Sequence, residues 1–219
     1  MPGQRDVLTR IQRGLERVYR IAAGVEVEEF VVDEDARDQL TSARPAREQL
    51  LVSEADDHLD LALYVDAAAL ARLAARDPGQ RLDDDNLGAF LYAVEGVSHF
   101  IYTVICARQA RAVSALEREL QAEVDKYVVC LLVTDGAPAA SAGWRRRLYD
   151  DCVFEDDLDA VERDRYRAAN QNARTYAASL ERRFVHRRGV VDMLAELRRF
   201  YRLPLSGKLA HIDKAASFG

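Results

Sequence analysis

The stretch from Asp83 to Val133 constrains the fold more than any other part of the chain, because it carries two long helical patterns in succession. The first follows a run of short polar residues, which can accept hydrogen bonds from the free N–H groups of a helix N-terminus. Its apolar residues then recur every three or four positions, and toward its end they occupy almost all faces. The second opens at Ser114 and Glu117, which have the spacing of a capping box, and continues as a narrow apolar seam. The sequence therefore predicts a central hairpin of two helices over residues 83–133.

A small sheet is predicted on the N-terminal side of this hairpin. Val25 to Val32 begins with alternating valine and glutamate, a pattern typical of a strand with one buried face. Two further apolar runs, Glu48 to Ser53 and Leu59 to Val65, are separated by the turn-forming segment 54–58, as in a β-hairpin. We expect the three runs to form an antiparallel three-stranded sheet, which needs a helix against one face to be stable.

Helical periodicity and helix-stop signals account for most of the remaining residues. The further predicted helices are Asp6 to Ala22, Asp33 to Leu40, Ala67 to Arg76, Asp157 to Val185, Val190 to Tyr201 and Ser206 to Ile212. The predicted fold class is α+β and predominantly helical, with the small antiparallel sheet near the N-terminus packed on a bundle of long helices. We divide the chain into an α+β region at 1–135, a linker with a short helix at 136–156, and C-terminal helices at 157–214 that pack on the same core.

Composition indicates a globular protein. Of the 219 residues, 49% are hydrophobic and 31% are charged, a balance that argues against a largely disordered chain. Cys106, Cys130 and Cys152 show no Cys-x-x-Cys spacing, so they indicate neither a disulfide framework nor a zinc ribbon. The first residues lack the apolar core of a signal peptide, and the apolar helix of the hairpin is interrupted by Glu95 and His99 and too short to span a bilayer. We therefore expect a cytoplasmic protein that does not enter a membrane.

Four side chains of the helical hairpin form a candidate metal site. Glu95 and His99 are four residues apart on the first helix, and Glu119 and Glu123 have the same spacing on the second. Residues at this spacing lie on one face of a helix, so an antiparallel hairpin could bring all four together. Carboxylate and imidazole groups bind divalent metal ions, but buried polar groups also form purely structural networks. In either case we expect His99 to be buried beside a carboxylate, with Glu95, Glu119 and Glu123 as the candidates.

The C-terminal part of the chain is basic, although the net charge of the whole chain is −6. From Asn170 onward, ten Arg or Lys residues stand against four Asp or Glu residues, which gives this part a net charge of +6. The candidate nucleic-acid-binding residues are Arg182, Arg183, His186, Arg187 and Arg188. Further basic residues that extend this patch are Arg198, Arg199, Arg202 and Lys208. Such a cluster attracts phosphate groups, but on a solvated helix it can also pair with acidic residues elsewhere in the chain.

The sequence contains no Walker loop, dinucleotide-binding fingerprint or nucleophile elbow. Our leading expectation is therefore a non-enzymatic regulatory or adaptor protein of the cytoplasm, which binds a protein partner or forms a homodimer and needs no cofactor. A metal-dependent helical enzyme that uses the Glu/His set, with a divalent metal as cofactor, is the first alternative. A nucleic-acid binder that uses the basic C-terminal helices is the second.

Overall fold

The structure, a computed structural model, describes residues 2–42, 46–55, 58–134, 138–154 and 157–217. Its fold is α+β and mostly helical, as the sequence predicts, with about 70% of the residues in helices. The helices of these ranges are α1 (Pro2–Tyr19), α2 (Glu34–Leu40), α3 (Ala67–Ala75), α4 (Leu87–Arg108), α5 (Ala115–Val133), α6 (Pro138–Arg145), α7 (Ala160–Arg183), α8 (Val190–Tyr201) and α9 (Leu205–Ser217). The strands are β1 (Val31–Val32), β2 (Glu48–Ala55) and β3 (His58–Val65). Short 3-10 turns cover Val27–Phe30 and Val185–Arg187, and a π-helical turn covers Arg146–Asp150.

The contacts between residues divide the chain into two compact units. The N-terminal unit comprises Met1–Arg17 and Ile21–Ala112, and the C-terminal unit comprises Val18–Arg20 and Val113–Gly219. The sheet and α4 therefore belong to the N-terminal unit, whereas α5 to α9 belong to the C-terminal unit. Residues 56–57 of the predicted β-turn, and residues 136, 137, 155 and 156 of the predicted linker, lie outside the described ranges.

The β-hairpin of the N-terminal unit forms as predicted. Strands β2 and β3 pair antiparallel, with Glu48 opposite Val65 at the open end of the hairpin. Helix α4 packs against both strands. Gly96 lies at this contact, where an added Cβ would come within 2.9 Å of Glu48 Cγ and 3.0 Å of Leu63 Cδ1. The absence of a side chain at Gly96 therefore allows α4 to lie directly on the hairpin.

The third strand differs from the prediction. Only Val31–Val32 forms a strand, and it pairs parallel with β3 in the order β1-β3-β2, so the sheet is mixed and the expectation of an antiparallel sheet is wrong. The preceding Val27–Phe30 forms a 3-10 turn that buries Val27 and leaves Glu28 and Glu29 exposed. Two consecutive glutamates break the alternation, because a longer strand would point one of them at the buried face. The connection between β1 and β3, which contains α2 and β2, is long enough to permit this parallel direction.

Helix α4 is the central core element of the N-terminal unit. Its side chains include Val94, Val97 and Phe100, which are all fully buried, and the Phe100 ring lies 4.9 Å from that of Phe30. With 22 residues, α4 is long and apolar enough to cross a membrane, so the expectation that it is too short is wrong. However, 78% of the most apolar 18-residue stretch of α4 is buried inside the protein. A buried core helix has the same length and composition, so α4 gives only a weak indication of a membrane.

The C-terminal unit is a group of packed helices. Helix α7 begins at a capping box formed by Asp159 and Glu162, and it packs along α5 and against α9. Its small buried residues are Ala169, Ala173 and Ala177. Small side chains permit neighbouring helices to approach closely. Between α7 and α8, the rings of Tyr176 and Phe200 stack with their centroids 4.0 Å apart.

A chain of buried polar side chains runs through the same unit. The ammonium group of Lys208 donates hydrogen bonds to Gln121 Oε1 at 2.6 Å and to the Phe200 carbonyl at 3.0 Å. Gln121 in turn donates to Asp125 Oδ1 at 2.9 Å, and the Tyr19 hydroxyl donates to the same oxygen. All four side chains of this polar chain are at most 1% exposed. Lys208 is therefore an internal structural residue and not part of a surface patch.

Candidate functional site

A basic cleft in the C-terminal unit is the candidate functional site. It has a volume of about 640 Å³. The described residues that line it are Arg182, Arg183, Phe184, Arg187, Glu196, Arg199, His211, Lys214 and Ala215. Five of these residues carry a permanent positive charge, and one is a carboxylate. A cavity with this balance of charge attracts anions, because the low-dielectric walls concentrate the positive potential inside it.

The C-terminal end of α7 supplies the first group of cations. The helix ends after Arg183, and the chain enters the 3-10 turn Val185–Arg187, which is anchored by the buried side chain of Val185. Arg188 then takes up a left-handed backbone conformation with a φ of 55°, and Gly189 leads into α8. This tight reversal brings Arg187 of the turn to the same cavity as the last arginines of α7.

Helices α8 and α9 supply the remaining charged residues of the cleft. Glu196 and Arg199 are three residues apart on α8, and His211 and Lys214 are three residues apart on α9. Residues at this spacing share one face of a helix. Each of the two helices therefore presents a pair of titratable or charged groups to the cavity.

Glu196 is the most enclosed charged group of the cleft. Its side chain is 8% exposed, and its Oε1 atom lies 2.5 Å from His211 Nε2 and 3.2 Å from Arg183 Nη1. Hydrogen bonds that involve a charged group are short and roughly twice as strong as neutral ones. The carboxylate therefore holds the imidazole of His211 and the guanidinium of Arg183 in place.

Aromatic side chains support the His211 ring from behind. The ring centroid of His211 is 6.0 Å from that of Tyr176, in an edge-on arrangement, and 6.0 Å from that of Phe200. Burial, followed by the nearby Glu196 carboxylate, raises the pKa of Tyr176 well above its usual value. The tyrosine therefore stays neutral, and the imidazole packs against two uncharged aromatic rings.

Arg183 and Phe184 add a flat surface to the cleft. The guanidinium carbon of Arg183 lies 4.7 Å from the centroid of the Phe184 ring. Both groups are planar, and both can stack on aromatic rings such as nucleobases. The cleft therefore offers a stacking surface as well as positive charge.

The cleft contains part of the predicted nucleic-acid-binding set. Arg182, Arg183 and Arg187 line the cavity, whereas His186 and Arg188 are exposed and do not belong to its described lining. His186 instead lies with Nε2 4.0 Å from Glu181 Oε1. Successive side chains of a 3-10 turn point in different directions. For this reason Arg187 lines the cavity, whereas His186 and Arg188, its neighbours in the chain, do not belong to the described lining.

Of the residues predicted to extend the patch, only Arg199 lines the described cleft. Arg198 donates to the Val18 carbonyl at 2.8 Å, Arg202 donates to the Tyr19 carbonyl at 3.3 Å, and Lys208 is buried. The sequence analysis missed Glu196, His211 and Lys214. The available signal was the spacing of three residues between Glu196 and Arg199 on α8 and between His211 and Lys214 on α9. Nothing in the sequence shows that these two helix faces line the same cavity.

The residues of the predicted metal site belong to both units. Glu95 and His99 lie on α4 of the N-terminal unit, and His99 is buried as predicted. Its Nδ1 atom is 3.5 Å from Glu48 Oε1 on strand β2, a carboxylate that the sequence analysis did not consider. The contact between His99 on α4 and Glu48 on β2 depends on how the helix packs against the sheet. The spacing of residues along a helix therefore cannot predict it.

The other two predicted metal ligands lie on α5 of the C-terminal unit, and each has a cation nearby. Glu119 Oε1 is 3.8 Å from Arg165 Nε, and Glu123 Oε1 is 2.5 Å from Lys126 Nζ. Both carboxylates therefore have an ion-pair partner within their own unit. Metal binding by Glu95, His99, Glu119 and Glu123 stays a prediction.

No family model matches the sequence, and neither a curated protein nor a solved structure matches it. The geometry and charge of the cleft are therefore the basis for assigning a function.

Proposed function

We propose that this protein binds single-stranded nucleic acid in the basic cleft of its C-terminal unit. The proposal rests on the five permanent cations that line one cavity. They come from α7, the following turn, α8 and α9, and Glu196 is the single carboxylate among the described lining residues. Phosphate groups are the anions that arginine and lysine bind best, and a nucleic-acid strand presents them in a regular series.

The size of the cleft and its aromatic surface favour a strand over a free inorganic anion. Pockets for organic ligands have volumes of about 300–1,000 Å³, and the volume of the cleft, about 640 Å³, lies within this range. The planar pair of Arg183 and Phe184 can stack on a base while neighbouring arginines contact phosphates. A flexible single strand can direct both its bases and its phosphates into such a cavity, whereas the stacked bases of a duplex are inaccessible.

The charge distribution restricts where the strand binds. Residues 170–219 carry a net charge of +6 within a chain of net charge −6, so the remainder carries −12, the difference between the two values. A polyanion is repelled by an acidic surface and attracted to a basic one. This proposal takes precedence over the adaptor role, because the cleft specifies a ligand chemistry and no arrangement of the described residues specifies a protein partner.

The proposal is tested by fluorescence anisotropy with labelled single-stranded oligonucleotides of about 12 nucleotides, a length within the range that single-strand-binding sites cover. We expect binding that weakens as salt rises, with log K falling by about 0.7 per phosphate contact for each unit of log salt concentration. Three to five contacts then give a slope of about −2 to −3.5. An affinity that does not depend on salt would contradict a phosphate-binding cleft.

A matched pair of charge reversals locates the site. Arg187→Glu changes a residue that lines the cleft, and Arg188→Glu makes the same change of charge one residue further along, outside the described lining. We expect Arg187→Glu to weaken binding at least about tenfold, equivalent to 1.4 kcal/mol, and Arg188→Glu to have a much smaller effect. Both residues are exposed, so both variants should melt close to the parent temperature. Equal losses of affinity would show that the binding surface is diffuse and is not the cleft.

A further inference from the structure

The cleft contains a histidine–carboxylate pair that electrostatic binding does not require. Glu196 carries a negative charge in a cavity that is otherwise suited to anions, and its buried position makes that charge costly to keep. Its Oε1 atom lies 2.5 Å from His211 Nε2, and Arg183 Nη1 donates a hydrogen bond to the same oxygen at 3.2 Å. In a site that only binds phosphate, a carboxylate would weaken the binding by repulsion. The histidine–carboxylate pair therefore indicates a second role for the cleft.

The hydrogen bond with Glu196 decides which nitrogen of His211 is available for chemistry. A carboxylate can only accept, so Nε2 carries the proton of the neutral imidazole and Nδ1 carries the lone pair. The side chain of His211 is 14% exposed, and it lines the cavity. Within the described part of the chain, Nδ1 has no hydrogen-bond partner. His211 thus combines a fixed ring, a fixed tautomer and a basic nitrogen beside a phosphate-binding surface.

We propose that the cleft cleaves RNA, with His211 as the general base and Glu196 as the residue that positions it. This inference rests on the proposed binding of a single strand in the same cleft. It extends that function from binding to a reaction, and it is specific for RNA because the reaction uses the ribose 2′-hydroxyl.

The reaction is an internal transesterification that needs no co-reactant. His211 Nδ1 takes the proton of a ribose 2′-hydroxyl, and the O2′ oxygen forms a bond to the adjacent phosphorus. The bond from phosphorus to the O5′ oxygen breaks, and O5′ leaves with the bonding pair and takes a proton from water. The resulting hydroxide takes the proton from His211, which restores the base. The products are a strand that ends in a 2′,3′-cyclic phosphate and a strand that begins with a 5′-hydroxyl.

The cations of the cleft stabilise the transition state of this step. Negative charge builds up on the non-bridging phosphate oxygens as the fifth bond to phosphorus forms, and fixed positive groups act on it without reorganisation. Lys214 is the cation best placed for this role, since it lies one helical turn after His211 on the same face of α9. Arg199 of α8 borders the same cavity.

The test uses two labelled oligonucleotides of the same sequence. One is DNA with a single ribonucleotide in the middle, and the other is DNA throughout. We expect the protein to bind both, to cut only the first at the ribonucleotide, and to leave a 2′,3′-cyclic phosphate that mass spectrometry identifies. Cleavage should persist in EDTA, because the step is assigned to side chains alone.

Variants of the two residues assign their roles. His211→Gln should reduce the cleavage rate by at least about 100-fold, the lower end of what a general base contributes. The rate is measured at a saturating concentration of the strand, so that a change in affinity does not enter it, and circular dichroism checks that the variant is folded. His211→Asn serves the same purpose if the first variant unfolds. Glu196→Ala should lower the maximal rate by a smaller factor without raising the KM, since removing a carboxylate does not weaken phosphate binding. Glu196→Gln should restore most of that rate, because its side-chain oxygen can still accept a hydrogen bond from His211 Nε2. A merely structural Glu196 would give neither this split between rate and KM nor this rescue.

The outcomes separate the two proposals. If neither oligonucleotide binds, the proposed nucleic-acid function is wrong. If both bind and neither is cut, that function stands and the cleavage reaction is wrong. Cleavage that is equally fast in the His211 variants, or that also occurs in the all-DNA strand, would overturn the assignment of the base and of the 2′-hydroxyl.

Discussion

Replacing Lys208 with methionine tests whether its buried amine stabilises the C-terminal unit. The side chain is 0% exposed. Its Nζ atom lies 2.6 Å from Gln121 Oε1, 3.0 Å from the Phe200 carbonyl oxygen and 4.3 Å from the centroid of the Phe200 ring. Methionine has a similar length and volume, so the substitution removes the charge and the donors while keeping most of the packing.

Two opposing effects set the size of the change. Loss of the ammonium group removes the hydrogen bond to Gln121 Oε1 and one of the hydrogen bonds to the Phe200 carbonyl, which still accepts from the Leu203 N–H at 3.1 Å. Hydrogen bonds to charged groups contribute about 1.5–3 kcal/mol each. Removal of the charge relieves the cost of burying an ammonium group, which is several kcal/mol when a buried ion lacks good partners. Because Lys208 Nζ has two oxygen acceptors and the face of the Phe200 ring within reach, we expect the first effect to dominate, with a net loss of about 3 kcal/mol. For a chain of this size, that loss lowers the melting temperature by about 6–12 °C.

Urea unfolding followed by circular dichroism measures the difference in the free energy of unfolding. Lys214→Met is the matched control, because it makes the same substitution on the exposed face of the same helix and should change stability by less than about 0.5 kcal/mol. If Lys208→Met is as stable as this control, or more stable than the parent, the buried amine is a tolerated charge and the reasoning fails.

Two further predictions concern the carboxyl group of Asp77 and the thiol groups of Cys130 and Cys152. Arg10 donates a hydrogen bond from Nη1 to Asp77 Oδ2 at 2.7 Å, and this bond lowers the pKa of the Asp77 carboxyl group. The interaction therefore stabilises the fold fully at a pH above 3.8, the ordinary pKa of the group, and this stabilisation is lost as the pH falls through the lowered pKa. Asp77→Asn should therefore cost less than about 1 kcal/mol at pH 7, because the pair is partly exposed, and the difference from the parent should vanish in acid; a difference that persists there would rule out this linkage. Burial raises the pKa of Cys130 to about 12, whereas Cys152 is exposed, so iodoacetamide at pH 8 should alkylate Cys152 well before Cys130 until the protein is unfolded. Peptide mass spectrometry measures both rates, and equal rates in the native protein would contradict the burial of Cys130.

The sequence predicts the local elements well where one physical signal dominates. The β-hairpin forms with Glu48 opposite Val65, because two apolar runs on either side of a turn have few other ways to pair. Helix α8 covers Val190–Tyr201, as predicted from its apolar stripe and the following proline. Of the predicted strand Val25–Val32, only Val31–Val32 forms a strand, and it pairs parallel with β3. The partner and direction of a strand depend on the path of the intervening chain, which local sequence does not reveal.

Part of the candidate site could be predicted from the sequence, and the rest was decided by the tertiary structure. The arginines Arg182, Arg183 and Arg187 stand out as a cluster, because they are close in the chain and carry the same charge. Glu196 and His211 are fifteen residues apart and lie on different helices, yet their side chains meet at 2.5 Å. The sequence by itself determined where most of the long helices lie and where positive charge accumulates, since both follow from neighbours along the chain. Only the packing of α7, α8 and α9 decided which of those charges share a cavity and which, like Lys208, are turned into the core, because that choice depends on contacts between residues distant in the sequence.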